Sequence, residues 1–433
     1  MNRYKPRHLE KKLKQYAAHF KVVLVTGARQ VGKSTMLQHV FSDMKSIMFD
    51  PVQDLYGARE DPDFFLDSNP SPLILDEIQF APELIPAIKR RVDALDSPGQ
   101  YFLTGSQNLS ILRSIAESMA GRVGILNLEG MTSYEIFECE EQHWLASYLQ
   151  APARLASNIH GLIDTPPLVR MLWRGTLPGL LDMPDEIVPG YFRSYIQTYV
   201  ERDIRLLENI RELSTFDRFI GLSSALCAQE INASQLGREI GVTPATARRW
   251  LDLLEHTFQW LELFPYHGNT IKRISGKRKG YWRDTGIAAY LQRISSPEAL
   301  AVSPLLGSLF ESWVVNMLYR LSSLLPTPPQ FYHWRTSGGA EVDLIMELDG
   351  QLFPIEMKCK TALSKHDTRG LRAFRETYKS KKIAPAIIIY AGKECYQVDA
   401  FTTAVPWNAL QDRHENRQGN RDVKTGRESL GPT

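Results

Sequence analysis

The chain has 433 residues, of which 43% are hydrophobic and 23% are charged. These fractions are close to globular averages and exclude a collagen-like, disulfide-stapled or wholly disordered chain. The 51 Lys and Arg residues nearly balance the 49 Asp and Glu residues, which leaves a formal charge of +2. Binding to a polyanion must therefore come from local clusters of basic residues.

The cysteines and the apolar runs indicate the compartment. The 4 cysteines lie far apart and form no CxxC pair, which argues against a zinc site and a disulfide framework. The basic N-terminus lacks the apolar stretch of a signal peptide, and no run approaches the roughly 18 apolar residues of a membrane span. We expect a soluble, cytoplasmic protein with no membrane partner.

In chain order, the pattern first predicts an α/β domain. Residues 1–130 alternate short β-branched runs with helical patterns, which is typical of a parallel sheet covered by helices. Residues 131–212 read as helices, including a long one over 191–207. Shorter helices, a turn and two strands are expected over 213–300, then a helix and a run of strands over 301–408. Residues 409–433 are predicted to be a disordered tail because they contain few apolar residues. The strands expected in the first domain are 21–26, 46–50, 73–76, 101–104 and 123–128.

The segment GARQVGKST, residues 27–35, stands between the first strand and a helical pattern and matches the P-loop form GxxxxGK[ST]. Glycines let the backbone N–H groups and the N-terminus of the following helix face a phosphate. Lys33 is expected to reach the β- and γ-phosphates, and Ser34 to bind Mg²⁺. The residues expected to contact nucleotide here are Gly27, Ala28, Arg29, Gln30, Val31, Gly32, Lys33, Ser34 and Thr35.

Two acidic residues, Asp76 and Glu77, follow the apolar run of the third strand. Carboxylates at the carboxyl end of a buried parallel strand face the site at that edge of the sheet. We expect Asp76 to complete the Mg²⁺ shell and Glu77 to activate the attacking water. The alternative is that the pair merely caps the next helix. Together with the P-loop, the pair favours nucleoside triphosphate hydrolysis over a small-molecule kinase.

Two further features belong to the same predicted site. The fourth strand is followed by small polar residues where a γ-phosphate sensor is expected, and both Ser106 and Asn108 are candidates. Arg122, just before the fifth strand, is a candidate arginine finger, on its own subunit or on a neighbour in a homo-oligomer. A surface salt bridge is the alternative for Arg122.

Near the C-terminus, an Asp-Gly dipeptide between two alternating segments predicts a two-residue β-hairpin. Counting outward from the turn pairs Asp343 with Glu356 and Glu341 with Lys358. Opposed Cβ atoms lie about 4.5–5.5 Å apart, so Asp343 and Glu356 are candidate ligands of one divalent cation. Lys358 is then a candidate to stabilise a phosphorane-like transition state. The alternative is a solvated strand face with a plain ion pair between Glu341 and Lys358.

The middle of the chain carries the basic cluster. Residues 233–251 read as a helix, a turn and a second helix with Thr243 at its N-cap and Pro244 at its first position. A β-hairpin is expected to follow, with basic residues uninterrupted by an acid. A domain joint or a protein contact is the alternative to nucleic-acid binding. The candidate phosphate contacts are Arg248, Arg249, Lys272, Arg273, Lys277, Arg278 and Lys279.

The motifs GARQVGKST, LILDEIQ and LTGSQN resemble those of AAA-superfamily predicted ATPases of bacteria and archaea that carry a C-terminal domain of unknown function. The resemblance continues through YVERDIRLL, VTPATARRWLDLLEHT, YWRDTGIAAYL and LFESWVVNML, and covers roughly residues 5–400. It implies ATP and Mg²⁺ as ligands. It also implies an AAA-type P-loop domain over 1–130, a helical lid or linker over 131–212 and a winged helix-turn-helix over 213–300.

For residues 301–408 the resemblance implies a PD-(D/E)xK restriction-endonuclease-like fold. Asp343, Glu356 and Lys358 match its motif, and Glu311 in the preceding helix matches an additional metal-binding acid. The winged helix-turn-helix implied for residues 213–300 would place its second helix in the DNA major groove. The implied function is an ATPase coupled to a DNA-contacting winged helix and a metal-dependent nuclease-like domain. Two alternatives stay open: a non-nucleolytic ATP switch that binds protein or nucleic acid, and a membrane-associated or chaperone-like ATPase acting on protein.

Overall fold

The computed structural model describes residues 4–54, 56–105, 115, 117–139, 143–199, 204 and 213–411. The chain divides into two compact units. The first comprises Met1–Glu138 and Pro166–Arg320, and the second comprises Cys139–Thr165 and Leu321–Thr433. Within the described ranges, no helix combines the length and the apolar character that crossing a membrane requires.

Helices cover much of the described chain. The helices are α1 (Leu9–Ala17), α2 (Lys33–Val40), α3 (Pro62–Ser68), α4 (Leu84–Ala94), α5 (Ser133–Ile136), α6 (Trp144–Gln150), α7 (Leu155–Asn158), α8 (Leu168–Arg174), α9 (Val188–Thr198), α10 (Leu213–Ala225), α11 (Ala233–Ile240), α12 (Pro244–His256), α13 (Thr270–Ser275), α14 (Thr285–Leu291), α15 (Pro297–Ala301), α16 (Leu306–Ser323) and α17 (Arg369–Thr377). Most of the second half of the long helix predicted over 191–207 lies outside the described residues.

The strands follow the same chain order. They are β1 (Val22–Thr26), β2 (Lys45–Met48), β3 (Leu73–Asp76), β4 (Tyr101–Gly105), β5 (Val123–Asn127), β6 (Ile159–Leu162), β7 (Gln229–Glu230), β8 (Trp260–Pro265), β9 (Lys279–Trp282), β10 (Gln330–Arg335), β11 (Glu341–Leu348), β12 (Gln351–Lys358), β13 (Lys382–Ile383), β14 (Ala386–Tyr390), β15 (Tyr396–Asp399), β16 (Thr402–Pro406) and β17 (Ala409–Gln411).

The first unit is built on a parallel sheet in the order β2-β3-β4-β1-β5, which confirms the predicted α/β domain. Every residue of β1, β3 and β4 is buried, as continuous apolar runs in a sheet covered on both faces require. Because all five strands run in the same direction, the loops that follow β1, β3 and β4 emerge at one edge. That edge carries the P-loop and the acidic pair.

Later in the first unit, α10, β7, α11, α12 and the β8–β9 hairpin follow in that order. Thr243 accepts a hydrogen bond from the backbone N–H of Thr246 at 3.1 Å, which confirms the predicted N-cap of α12. The hairpin is also confirmed, with Trp260 opposite Trp282. The basic connection between its strands differs from an open wing because it contains the short helix α13.

The second unit contains strands paired in the order β15-β16-β14-β12-β11-β10. The predicted hairpin register is observed from Leu348↔Gln351 out to Leu344↔Ile355. Its sheet is mixed, because β12, β14 and β16 run parallel whereas β11 is antiparallel to both neighbours. This hairpin delivers Asp343 and Glu356 to the same end of adjacent strands.

The second unit also departs from the predicted division of the chain. Residues 139–165 belong to it rather than to the helical region assigned to 131–212. The reason is packing: the Tyr148 ring meets Phe353 at 5.4 Å between centroids, and its hydroxyl donates to Pro385 O at 2.9 Å. The expected tail also begins too early, because buried Ala409 starts β17, which pairs with β6. Residues 412–433 lie outside the described residues.

Candidate active site

Left-handed backbone turns shape the loop between β1 and α2. Gly27 has φ 141°, Gln30 φ 60° and Gly32 φ 92°. A Cβ at Gly27 would lie 2.0 Å from the carbonyl oxygen of Leu128, so no larger residue fits there. Gly32 is the N-cap of α2, which makes the end of the loop the start of the helix. The loop therefore has the tight glycine-dependent path that brings backbone amides close to a phosphate.

Lys33 lies inside this loop and is buried. Its Nζ donates to the carbonyl oxygens of Gly27, at 3.0 Å, and Ala28, at 2.8 Å. The first residue of α2 thus reaches back across the whole loop to its beginning. This position fits the predicted role of an ammonium that neutralises phosphate charge within the loop.

The other loop residues differ in exposure. Ala28 and Val31 are buried, Arg29 is half-buried, and Gln30 and Thr35 are exposed. The apolar side chains therefore anchor the loop to the domain. The exposed polar residues, Gln30 and Thr35, face away from the domain core.

Three side chains from different elements meet beside the loop. Ser34 Oγ donates to Asp76 Oδ1 at 2.7 Å, and the Thr104 hydroxyl donates to the same oxygen. Asp76 is only 1% exposed, and within the described ranges no group hydrogen-bonds its Oδ2. A buried carboxylate oxygen with spare acceptor capacity beside a serine hydroxyl fits an Mg²⁺ shell, because Mg²⁺ takes oxygen ligands. The structure brings together Ser34 and Asp76, the two residues expected to hold Mg²⁺.

Thr104 is a site residue that the sequence analysis missed. It is the penultimate residue of β4, beside β3, and the register Leu75↔Leu103 makes it the neighbour of Asp76. Its hydroxyl also accepts a hydrogen bond from the backbone N–H of Glu77 at 2.9 Å. The available signal was a polar residue at the carboxyl end of a strand adjacent to the acidic pair.

Glu77 turns out of the sheet in a left-handed conformation, with φ 57°. It occupies the N-cap position of the short turn Ile78–Phe80, but its side chain makes no capping hydrogen bond. Its carboxylate instead accepts a hydrogen bond from the Gln79 amide. The alternative of simple helix capping therefore does not account for this carboxylate.

A cavity of about 210 Å³ adjoins the end of the loop. Burial and the hydrogen bond to Glu10 raise the pKa of Tyr4, one of its walls, so this hydroxyl stays protonated. Near the cavity, the hydroxyl of Tyr191 donates a hydrogen bond to the side-chain oxygen of Gln30. Burial raises the pKa of Tyr191 to about 12. The walls come from four parts of the first unit, and include Tyr4, Arg7, Gly32, Thr35, Met131, Pro178 and Asp182.

Arg122 is not at the phosphate site of its own subunit. It precedes β5, and Val123 lies opposite Val22, so it lies at the sheet edge where the strands begin. At about 3.3 Å per residue, the five-residue strand β1 separates it from the loop by about 16 Å. Its guanidinium pairs with Asp93, which is the predicted alternative of a surface salt bridge. Ser106 and Asn108, the sensor candidates, lie outside the described residues.

The second unit brings Asp343, Glu356 and Lys358 together at one end of the β11–β12 hairpin. Asp343 and Glu356 are each 5% exposed, and Lys358 Nζ forms an ion pair with Glu356. Asp343 Oδ2 accepts a hydrogen bond from the backbone N–H of Met357 at 2.9 Å. Glu341 pairs with Arg335 at 3.4 Å, so the alternative ion pair between Glu341 and Lys358 is wrong.

Glu311, the fourth predicted member of that acidic set, lies on α16 in the first unit. Its carboxylate pairs with Lys279 at 2.5 Å and accepts a hydrogen bond from the Tyr281 hydroxyl at 2.7 Å. These contacts give the carboxylate a structural role inside the first unit. Over the described ranges, no group of three or more His, Cys, Asp or Glu side chains is arranged to hold a metal ion.

Several of the predicted phosphate-binding cations are already engaged. Arg248 and Arg278 both contact Glu262, at 2.9 and 3.0 Å. Lys279 is 9% exposed and held by Glu311, so it is not available to a phosphate. Glu262 on β8 and Glu311 on α16 therefore neutralise these three cations.

The remaining basic candidates lie on α12 and in the connection between β8 and β9. Arg249 on α12 and Lys277 in the hairpin connection are exposed. Arg273 lies over the Tyr266 ring at 4.3 Å and donates to the carbonyl of His267. The side chain of Lys272 lies outside the described residues. The cluster is therefore smaller than the sequence suggests.

The parallel sheet, the glycine-dependent loop and the Ser34–Asp76 pair are the features of a P-loop NTPase-like domain. The family profile described as "AAA domain" matches residues 19–137. Two profiles described as domains of unknown function, DUF8612 and DUF4143, match residues 166–298 and 306–410.

The similarity to two curated proteins extends over most of the chain. Uncharacterized proteins of Mycobacterium tuberculosis and Mycobacterium bovis are each 28% identical over 387 residues, which cover 89% of this chain and 80% of theirs. Among solved structures, a Walker-type ATPase of Pyrococcus abyssi is 15% identical with a TM-score of 0.44, covering 65% of this chain and 94% of that one. The RuvB Holliday junction branch migration motor of Thermotoga maritima is 18% identical with a TM-score of 0.29, covering 59% and 89%.

Proposed function

We propose that the protein binds and hydrolyses ATP with Mg²⁺ at the edge of the first unit's sheet. The observation that carries this proposal is the convergence of Ser34, Asp76 and Thr104 beside Lys33. Lys33 and the loop amides bind the phosphates, and Ser34 and Asp76 hold the cation. Bound Mg²⁺ neutralises charge that develops on the phosphate oxygens.

Glu77 orients and deprotonates the attacking water in this proposal. Its backbone is fixed by the N–H bond to Thr104, and its carboxylate is oriented by Gln79. A carboxylate placed one residue after the Mg²⁺-holding aspartate can face the γ-phosphate without binding the cation itself. If Arg122 acts as an arginine finger, it acts on the nucleotide site of a neighbouring subunit, because the length of the sheet separates it from the P-loop of its own subunit.

The cavity beside Gly32 and Thr35 is the proposed place of the nucleoside. It is lined by Gly32 at the end of the P-loop and by Thr35 of α2. Pro178 and Tyr4 also line it, and an apolar and an aromatic residue suit a flat base. Asp182 is a polar lining residue that could bind the base or the ribose.

Calorimetric titration with ATP, ADP and adenosine tests this assignment in the presence of Mg²⁺. Wild-type protein is expected to bind both nucleotides, and Lys33→Ala to lose about tenfold or more in affinity for each. Lys89→Ala, at a half-buried lysine on α4, is the matched control and should bind as wild type. Equal affinity for ATP in wild type and Lys33→Ala would remove the P-loop from the proposal.

A second proposed activity is contact with DNA through α12 and the β8–β9 connection, as a winged helix. The order α10, β7, α11, α12, β8, β9 supports it, with Arg249 and Lys277 exposed. Cations that meet phosphates give a salt-dependent affinity. Measuring ATP turnover with and without duplex and single-stranded DNA tests the coupling; indifference to both favours the ATP switch that acts on a protein partner.

A third proposed activity is cation-dependent phosphodiester cleavage at Asp343, Glu356 and Lys358. Two carboxylates and an ammonium at one hairpin end support it. The test is cleavage of DNA with Mg²⁺ or Mn²⁺ by wild type and Asp343→Ala. Loss of cleavage in the variant supports a nuclease, whereas equal residual cleavage indicates contamination and favours the non-nucleolytic switch.

A further inference from the structure

Arg7, which precedes α1, is buried beside the P-loop and also lines the cavity described above. Its Nη1 donates to the carbonyl of Val31 at 2.7 Å, and its Nη2 to the carbonyl of Glu129 at 2.7 Å. Its Nε donates to Glu135 Oε1 at 3.1 Å. One guanidinium, 6% exposed, therefore joins the P-loop to the segment that follows β5.

The contact with Val31 sets the direction of a P-loop amide. The carbonyl of Val31 and the N–H of Gly32 belong to the same peptide, and in a trans peptide these two groups point in opposite directions. Holding the carbonyl toward Arg7 therefore turns the Gly32 N–H away from Arg7. A P-loop binds phosphate through backbone N–H groups of this segment.

The guanidinium itself is held firmly. Glu135 Oε1 also accepts the N–H of His8 at 2.9 Å, and Oε2 accepts the N–H of Thr132 at 2.8 Å. The backbone N–H of Arg7 donates to Glu10 at 2.7 Å. A buried fork with fixed partners on both sides can hold a strained loop in one conformation.

We propose that Arg7 is a positioning residue of the nucleotide site, which pre-orients the Gly32 amide for phosphate. This inference rests on the proposed nucleotide binding. It predicts that Arg7 acts on ligands that carry a β-phosphate, and that the effect comes from the Val31 contact rather than from the stability that the Arg7–Glu135 pair gives.

Two variants separate these effects in the full-length protein. Arg7→Lys keeps a cation beside Glu135 but loses the fork, and it should weaken MgADP binding about tenfold or more. Glu135→Gln keeps the Arg7–Val31 contact, and it should lower the melting temperature while weakening MgADP binding by less than about tenfold. Arg91→Lys is the matched control, because Arg91 joins the carbonyl of Asp63 to the carboxylate of Asp67 away from the loop.

Calorimetry with MgADP and a thermal melt without nucleotide give the two readouts. If Arg7→Lys binds MgADP with wild-type affinity, the inference about Arg7 is overturned but the proposed function is not. The inference also fails if Glu135→Gln weakens MgADP binding about tenfold or more. This second variant decides the question if Arg7→Lys does not fold. Absence of MgADP binding by the wild-type protein overturns the proposed function and the inference together.

Discussion

Ser34 at the start of α2 and Asp76 at the end of β3 are joined by a 2.7 Å hydrogen bond, although 42 residues separate them in sequence. If this pair holds Mg²⁺, Asp76→Asn should keep the hydrogen bond but remove the charge. ATP turnover should then fall about tenfold or more and require more Mg²⁺. Turnover measured across a magnesium series checks this, with the exposed Asp67→Asn as control. An unchanged magnesium requirement in Asp76→Asn would contradict it.

Thr104 links the carboxylate of Asp76 to the backbone of Glu77. Thr104→Val keeps the shape but removes both hydrogen bonds. Asp76 Oδ1 keeps its hydrogen bond from Ser34, but the backbone N–H of Glu77 loses its acceptor, which should cost about 1–3 kcal/mol of the free energy of unfolding. Turnover should fall more than ATP affinity, because the γ-phosphate side of the site loses its order. Thr104→Ser restores the hydroxyl and should recover most of the turnover; a Ser variant as poor as Val would speak against this role.

The stability of the first unit should depend on the ionisation of Glu135. Burial alone raises its pKa, but Arg7, His8 and the backbone N–H of Thr132 more than compensate, and the pKa of Glu135 lies below its ordinary value of 4.5. The stabilisation is therefore complete above pH 4.5 and is lost as the pH falls through the lower folded-state pKa.

Denaturant titrations between pH 7 and acid conditions measure this effect. Glu135→Gln should be less stable than wild type at neutral pH, and its free energy of unfolding should fall less steeply in the acid window. Glu60→Gln, at an exposed glutamate of the same unit, should keep the wild-type slope. Parallel acid slopes for wild type and Glu135→Gln would show that this carboxylate does not set the dependence.

The carboxylate hairpin predicts a cation effect that does not require cleavage. Lys358→Met removes the ammonium from Glu356, which is buried beside Asp343. A divalent cation can compensate for that loss, since it favours the ionised form of both carboxylates. Millimolar Mn²⁺ should therefore raise the melting temperature of Lys358→Met more than that of wild type. The same Mn²⁺ shift after adding Asp343→Asn and Glu356→Gln would place the cation elsewhere.

The exposure of the basic residues predicts which of them contribute most to DNA affinity. Arg249→Ala with Lys277→Ala should lower DNA affinity and flatten its dependence on salt, because both side chains are exposed. Arg278→Ala should affect DNA less, since its guanidinium contacts Glu262 and covers the Phe264 ring. Fluorescence anisotropy over a salt series compares the variants. A larger loss from Arg278→Ala would reverse this assignment.

The sequence predicted the features that depend on local patterns. The five strands of the parallel sheet, the P-loop and the hairpin register follow from apolar periodicity and from glycine and Asp-Gly signals. The Ser34–Asp76 pair was also predictable, because both residues belong to motifs whose strands end at one edge. These inferences need no knowledge of distant packing.

Contacts between distant parts of the chain could not be predicted in this way. Arg7 reaches Val31 and Glu135 only after the chain has folded, and no motif marks it. Lys279 and Glu311 read as a phosphate contact and a metal ligand, yet they pair with each other. The sequence around a charged side chain does not show whether a residue distant in sequence will form an ion pair with it in the folded protein.

The most direct test of the proposed activity is ATP hydrolysis by wild type, Lys33→Ala and Glu77→Gln under saturating Mg²⁺, with ATP binding measured on the same preparations. The account predicts turnover by wild type, loss of binding and turnover in Lys33→Ala, and retained binding with turnover reduced by about a hundredfold in Glu77→Gln. Hydrolysis at the wild-type rate by Lys33→Ala would contradict the assignment of the P-loop as the catalytic site.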